Sequence, residues 1–257
     1  MKGILPNGYE ESLMKQEFNI LIPMAGRGSR FEEKGYTDRK PFIDINGKPM
    51  IHRVIENLNI EFDANYKFIL VCLREDFERY NFSEFKNVIG HESYDIICLD
   101  DVTQGAAQTI LTAKHLIDNE TPLLTMNSDQ MIEYDVETMF WKAKEYDAMI
   151  PCFYGEGKAW SYAKTGPDGY VTEVAEKKQI SNQATAGYYY WSRGSDFVKY
   201  AEQMIEENDR TNGEFYVAPV YNWAIKDNKK VGTFMVTKIY HLGTPEYLEQ
   251  FLNYTGV

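Results

Sequence analysis

FNILIPMAGRGSRFEEKGYTDRKPFIDINGKP, residues 18 to 49, is the stretch on which the reading of this chain turns. Phe18 to Met24 is an unbroken apolar run, the pattern of a strand buried on both faces in a parallel sheet. The run stops at Ala25-Gly26-Arg27-Gly28-Ser29-Arg30. Two glycines in one short loop let the backbone approach a ligand, and the N–H groups of such a loop cradle phosphate oxygens. Arg30 adds a planar fork of donors, and Lys40 a compact point charge. A strand, a glycine loop and two fixed cations together make a site for a nucleoside triphosphate. A tight turn with no ligand is the competing reading, and the basic residues and the Lys40-Pro41 pair weigh against it. Two better-known phosphate loops are excluded. The Gly-Lys-Ser/Thr of a Walker A loop is absent, and Phe31 stands where a dinucleotide fingerprint needs its third glycine.

Working outward, the strand signal recurs. Pro49 opens a helix that runs to about Leu58, with Ile51, Val54, Ile55 and Leu58 on one face. His52 on that helix reads as a surface or packing residue. Tyr66 to Leu73 is a second buried strand, Glu75 to Phe85 is helical, and Asp95 to Leu99 is a third strand. After it, Gln104-Gly105-Ala106-Ala107 opens a helix with small residues. Leu123 to Met126 is another strand. It ends in Asn127-Ser128-Asp129-Gln130, which puts a carboxylate at a strand's carboxyl end, where open α/β sheets bind ligands. Val136 to Tyr146 reads as a helix and Ala148 to Phe153 as a strand. The alternation predicts an α/β fold, a Rossmann-like three-layer sandwich with a mostly parallel sheet.

Beyond residue 160 the pattern changes. Ser161 to Lys164, Tyr170 to Glu176 and Ala186 to Trp191 are short strands, the first two joined by the turn Gly166-Pro167-Asp168-Gly169. They predict a small β insertion that roofs the site. Asp196 to Glu207 is an amphipathic helix ended by Asn212-Gly213. A further helix is expected from Glu214 to about Ile225, and one strand from Lys230 to Lys238. Residues 1 to 17 form a polar arm, and 18 to 257 a single domain.

The quoted stretch resembles the signature of the nucleotidyltransferases that activate sugar 1-phosphates, a family that includes glucose-1-phosphate thymidylyltransferase and phosphocholine cytidylyltransferase. Their pattern is a strand, Gly-x-Gly-x-Arg-Leu/Phe, then Lys-Pro, then Gly-Lys-Pro-Met/Leu-Ile. Gly26, Gly28, Arg30, Phe31, Lys40, Pro41, Gly47, Lys48, Pro49, Met50 and Ile51 match it. Later segments extend the match to about residue 252. The resemblance implies the GT-A-like nucleotidyltransferase fold and assigns roles. Arg30 and Lys40 would be catalytic, and Ala25, Gly26, Arg27, Gly28, Gln104 and Gly105 would hold the nucleotide. Glu176, Lys177 (with Lys178 as substitute), Gly187 and Glu214 would hold the acceptor. Asp129 would bind Mg²⁺.

Two positions depart from the family. Asn127 stands where an Asp-x-Asp form has its first aspartate. His241, in His241-Leu242-Gly243-Thr244-Pro245-Glu246, stands where the family has its second metal-binding aspartate. Imidazole suits softer ions than Mg²⁺. His241 therefore binds the metal directly, favouring Mn²⁺, or orients a water or phosphate, or leaves Asp129 to bind the metal alone with the triphosphate.

Composition bounds the partners. The formal charge of −12 argues against a nucleic-acid surface, which needs a basic patch. Cys72, Cys98 and Cys152 lie in or beside apolar runs with no metal-type spacing, as buried thiols of a reducing compartment do. No signal-peptide or membrane-span pattern is present, so the expected location is the cytoplasm. Association into a homo-oligomer stays open.

The expected reaction joins a nucleoside monophosphate to a phosphorylated small molecule and releases pyrophosphate. The resemblance points to a sugar 1-phosphate acceptor serving bacterial surface polysaccharide. Phosphocholine or phosphoglutamine is the alternative acceptor. Tyr154, Trp160, Tyr162, Tyr188 and Tyr190 suit a quaternary ammonium through cation–π contact, or simply pack in the core. A glycosyltransferase of the same fold leaves Arg30 and Lys40 unexplained. A non-catalytic nucleotide sensor would account for the missing second carboxylate.

Overall fold

The computed structural model describes residues 17–58, 60, 65–90 and 94–255. The arm expected over residues 1–17 lies outside the described residues except for Glu17. The strands in chain order are β1 (Phe18–Pro23), β2 (Asp44–Ile45), β3 (Lys48–Pro49), β4 (Tyr66–Leu73), β5 (Tyr94–Leu99), β6 (Leu123–Met126) and β7 (Gln130–Glu133). They continue with β8 (Ala148–Tyr154), β9 (Ser161–Thr165), β10 (Val171–Glu176), β11 (Gln183–Thr185), β12 (Tyr188–Trp191), β13 (Val231–Met235) and β14 (Lys238–His241).

One large sheet runs β10-β9-β11-β8-β12-β6-β1-β4-β5, with β13 on the other edge of β8. The pairs β1–β4, β1–β6, β4–β5 and β8–β13 are parallel. The chain reverses at β12, at β11 and at β10, and all other strands of the sheet run with β1. The sheet is therefore mostly parallel, as the alternating pattern predicts. The small β insertion is built in at its edge, where β9 and β10 form the expected hairpin.

The apolar runs work because both faces are covered. In β1 the side chains alternate, Ile20 and Ile22 packing into one core and Leu21 into the other, and all three are fully buried. Each such side chain is worth roughly 1.5–3 kcal/mol when removed from water. Helices Met50–Asn57 and Val136–Ala143 cover the first face; Ala106–Leu111, Gly194–Glu206 and Val220–Lys226 cover the second. His52 is buried edge-on against Phe85, so the packing reading holds for it.

Five segments depart from the expected elements. The Glu75–Phe85 region is broken into helix Arg74–Arg79, a 3-10 turn at Phe82–Glu84 and helix Phe85–Ile89. The helix expected from Glu214 begins only at Val220, because the Phe215 backbone pairs with Gln104 O (2.9 Å) and the Ala107 N–H (3.0 Å) instead. The strand expected over Lys230–Lys238 is two strands. Val236 N–H still bonds Cys152 O, but Thr237 N–H bonds Glu133 O, so the chain leaves β8 and joins β7. β7 itself, and β11, carry no run long enough to be read from the sequence.

Candidate active site

The carboxyl ends of β1, β5 and β6 open onto a cleft with two chambers. One, about 710 Å³, is lined by Ala25, Gly26, Arg27, Thr103, Gln104 and Gly105 among others. The second, about 430 Å³, is lined by Gly28, Arg30, Trp160, Glu176, Lys177 and His241 among others. Lys40, Ala106, Asn127, Asp129, Glu214 and Tyr216 border both. The two chambers therefore meet at Lys40 and Asp129.

The glycine loop leaves β1 directly into this junction. Gly26 has open space where a side chain would be, and its backbone is free to meet a ligand. Gly28 is needed for a different reason. Its φ is +69°, and a Cβ there would lie 2.8 Å from Lys40 Cβ, so glycine lets the Lys40 stem pack against the loop. Lys40 then reaches Asp129, its Nζ donating to Oδ2 at 2.8 Å. Burial works to raise the Asp129 carboxyl, but Lys40, His241 and Arg30 outweigh it and hold it below the ordinary carboxylate range. Arg30 itself is exposed and makes no hydrogen bond or ion pair among the described residues. A free guanidinium at a cleft wall is placed to meet an incoming anion. Arg27 is instead paired with Asp101 at 3.1 Å on the surface.

His241 comes to the site through β14, whose register sets it opposite Gln130. Leu242 N–H bonds Asp129 O at 2.8 Å, and Gly243 follows. A Cβ on Gly243 would sit 2.4 Å from Asp129 Oδ2 and 2.7 Å from His241 Cε1, so this glycine is what allows the two side chains to lie together. Burial lowers the His241 pKa; Asp129 opposes that shift, and Lys40 and Arg30 add to it. The ring is thus a neutral imidazole near pH 7. Its Nδ1 lies 3.5 Å from Gln130 Nε2, and Gln130 Oε1 accepts from Asn127 Nδ2 at 2.9 Å. Asn127, where the family motif has an aspartate, therefore serves as the start of an amide relay to His241.

A divalent ion is compatible with this set only in part. Asp129 and neutral His241 are adjacent donors. Among the described residues, however, no three His, Cys, Asp or Glu side chains gather as a metal site. The remaining ligands would have to be phosphate oxygens and water.

The second chamber has a polar wall and an aromatic wall. Glu176 accepts from Ser161 Oγ. Burial raises its pKa, Ser161 and Lys177 oppose the rise, and Glu214 adds to it. Lys177, held at φ +55°, donates to Tyr216 OH, with its Nζ 4.5 Å from the centre of that ring. Trp160 stands edge-on to Phe153 and to His241. Of the aromatic residues weighed for a cation, only Trp160 lines this chamber. Tyr162, Tyr188 and Tyr190 are core, and Tyr154 points into solvent at 75% exposure.

Gly187, expected at the acceptor from the resemblance, is held by contacts outside both chambers. Gly187 is buried and lines neither chamber. It sits at φ +75°, its carbonyl accepts from Asn127 N–H at 2.8 Å, and a Cβ there would collide with Gln130 Oε1 at 1.4 Å. Its smallness makes room for the Asn127–Gln130 pair. Lys178 is exposed and also lines neither chamber. The sequence reading missed Gln130, Ser161, Tyr189, Arg210 and Tyr216. Gln130 follows Asp129 in the quoted segment without a role of its own; the others lie in no recognisable motif, and strand pairing and the 214–216 crossing bring them in.

A family model described as nucleotidyl transferase matches residues 20–250. The bifunctional protein GlmU of Methanocaldococcus jannaschii is 32% identical over 217 residues, covering 83% of this chain and 48% of that protein. The chain spans about half the length of the curated relatives it matches. Among solved structures, the nucleoside-diphosphate-sugar pyrophosphorylase of Vibrio cholerae RC9 is similar with a TM-score of 0.78 at 24% identity. That match covers 91% of this chain and 99% of the other. A UDP-glucose pyrophosphorylase complexed with UDP-glucose has a TM-score of 0.75 at 19% identity, covering 94% and 99%. These two share the fold. No helix among the described residues is long and apolar enough to cross a membrane.

Proposed function

The chain belongs to the nucleotidyl transferase family, and from that premise we propose that it joins a nucleoside monophosphate to a phosphorylated small molecule, a sugar 1-phosphate first among candidates. The product would be an activated sugar of the kind polysaccharide assembly consumes. The observation that carries this reading is the meeting of two chambers at Lys40 and Asp129, one lined by the glycine loop and the other by Glu176 and Lys177.

In the proposed reaction an oxygen of the acceptor phosphate attacks the α-phosphorus. The bond from that phosphorus to the β-bridging oxygen breaks, and pyrophosphate leaves. A phosphate monoester is already anionic near neutral pH, so positioning and charge neutralisation matter more than a general base. Arg30, free at the cleft wall, would take the departing β- and γ-phosphates. Lys40 would turn from Asp129 towards the charge that grows on the α-phosphate. The loop from Ala25 to Gly28, with Gln104 and Gly105, would hold the nucleotide. Glu176 and Glu214 would accept from acceptor hydroxyls, and Lys177 would meet the acceptor phosphate. Asp129 and His241 would hold a divalent ion, Mg²⁺ or Mn²⁺, which when bound would neutralise charge on the triphosphate.

The test is pyrophosphate release with Mg²⁺ or Mn²⁺, crossing CTP, UTP, dTTP, GTP and ATP with sugar 1-phosphates, phosphocholine and phosphoglutamine. Release that requires one triphosphate and one acceptor is the expected result. Triphosphate binding without release for any pair would favour a nucleotide sensor. Turnover of a preformed nucleotide sugar would favour a glycosyltransferase.

A further inference from the structure

The nucleotide chamber contains an arginine that the reaction above leaves unused. Arg210 lies on the loop after helix Gly194–Glu206, more than a hundred residues from the glycine loop, yet it lines the same chamber. Each of its three nitrogens makes one hydrogen bond. Nε donates to Asn208 Oδ1 at 2.6 Å, Nη1 to Gly213 O at 3.0 Å, and Nη2 to Gln104 Oε1. The group also stacks on Phe215, with Cζ 3.9 Å from the ring centre.

The consequence falls on Gln104. A guanidinium has five donors and no acceptor, so the amide can face it only with its oxygen. The backbone of Gln104 is held as well, its N–H donating to Gln108 Oε1 at 2.7 Å and its carbonyl accepting from Phe215 N–H at 2.9 Å. The amide NH₂ is left over, with no partner among the described residues, on a side chain that lines the nucleotide chamber. It can only donate.

We propose that Arg210 is the positioning residue that sets which base this chamber accepts, by locking Gln104 as an obligate donor. A base that turns its exocyclic C4 or C6 group to Gln104 must then present an acceptor there. Uracil, thymine and guanine do so where cytosine and adenine carry an exocyclic amine, and two opposed donors cannot pair. The substrate is a nucleoside triphosphate with a keto base at that edge, UTP or dTTP over CTP or else GTP over ATP. This inference rests on the nucleotidyl-transfer reading for the location of the base.

The experiment uses the full chain and two readouts: equilibrium binding of UTP, CTP, GTP and ATP without acceptor, and kcat and KM from pyrophosphate release. In the parent, one keto base should exceed its amino counterpart by about tenfold or more, the scale of one unpaired polar group. Arg210→Gln frees the amide to rotate. The ratio should collapse towards one, with the loss falling on triphosphate KM more than on kcat. Arg210→Lys, which keeps a donor, should retain most of the ratio. Gln104→Glu presents only acceptors, and its preference should move towards CTP or ATP; this variant decides the matter if Arg210→Gln does not fold. A parent that prefers CTP to UTP and ATP to GTP, or an unchanged ratio in Arg210→Gln, overturns the proposal. A parent that binds none of the four triphosphates removes the nucleotidyl-transfer reading itself, and the proposal falls with it.

Discussion

Replacing Lys40 with Met tests the centre of the site, because it removes the charge and keeps most of the stem. Two effects should follow, and they can be measured apart. In catalysis, the growing charge on the α-phosphate loses one positioned donor. Losing such a donor costs about 2.7–4 kcal/mol, a fall in kcat of roughly 10²–10³. In stability, Asp129 loses a partner at 2.8 Å. Breaking a fully buried pair costs about 3–5 kcal/mol. Here the side chains keep 21% and 14% of their exposure, so water reaches the pair and we expect about 1–3 kcal/mol. For a chain of this size that lowers Tm by roughly 2–12 °C. The Asp129 carboxyl, held low chiefly against its own burial by Lys40, should titrate at higher pH in the variant. A depressed carboxylate contributes stability above its unfolded pKa that is lost as pH falls through the folded one. The acid limb of the variant's stability profile should therefore move to higher pH. The assay is pyrophosphate release at saturating triphosphate and acceptor, alongside thermal melts from pH 3 to 8. The double variant with Asp129→Asn should recover stability and leave turnover low. A kcat within about threefold of the parent in Lys40→Met would refute the role given to Lys40.

Two further outcomes can be checked independently. Gly105→Ala places a Cβ 2.4 Å from Phe215 O at φ +140°, against backbone that cannot rotate away; strain of about 1–3 kcal/mol should lower Tm by several degrees and weaken triphosphate binding in a titration. Asp76 is 1% exposed beside Arg39, and burial pushes its carboxyl up to about 6, with Glu75 adding to the rise and Arg39 and Arg79 opposing it. A raised carboxyl contributes stability below its unfolded pKa that is lost as pH rises through 6, so Asp76→Asn should gain in Tm relative to the parent between pH 4 and 7, and a difference that is flat with pH would refute it.

The central strands and the chamber at their carboxyl ends are the most legible part of this sequence. Phe18 to Met24, Tyr66 to Leu73 and Leu123 to Met126 are continuous apolar runs, and a run apolar on both faces has few options besides an interior parallel strand. Gly26 and Asp129 leave those strands at their carboxyl ends and follow from local chain order; Lys40, past the helix Ser29–Glu33, is placed by its Lys-Pro motif. The second chamber is only partly legible. Glu176 and Lys177, which the resemblance assigns to the acceptor, line the second chamber and Gly187 lines neither; a glycine needed for the Asn127–Gln130 pair looks the same in sequence as one needed for a ligand. The resemblance already pairs His241 with Asp129, but the route by which His241 arrives, and the grip of Arg210 on Gln104, come from tertiary pairing. His241 depends on the chain leaving β8 for β7 at Thr237, and β7 has four residues and no periodic signal of its own. Arg210 depends on the Phe215 backbone pairing with Gln104 and Ala107, a contact between segments about a hundred residues apart. Local propensity is blind to such pairing, since the energy that fixes it comes from the partner strand and not from the residues themselves.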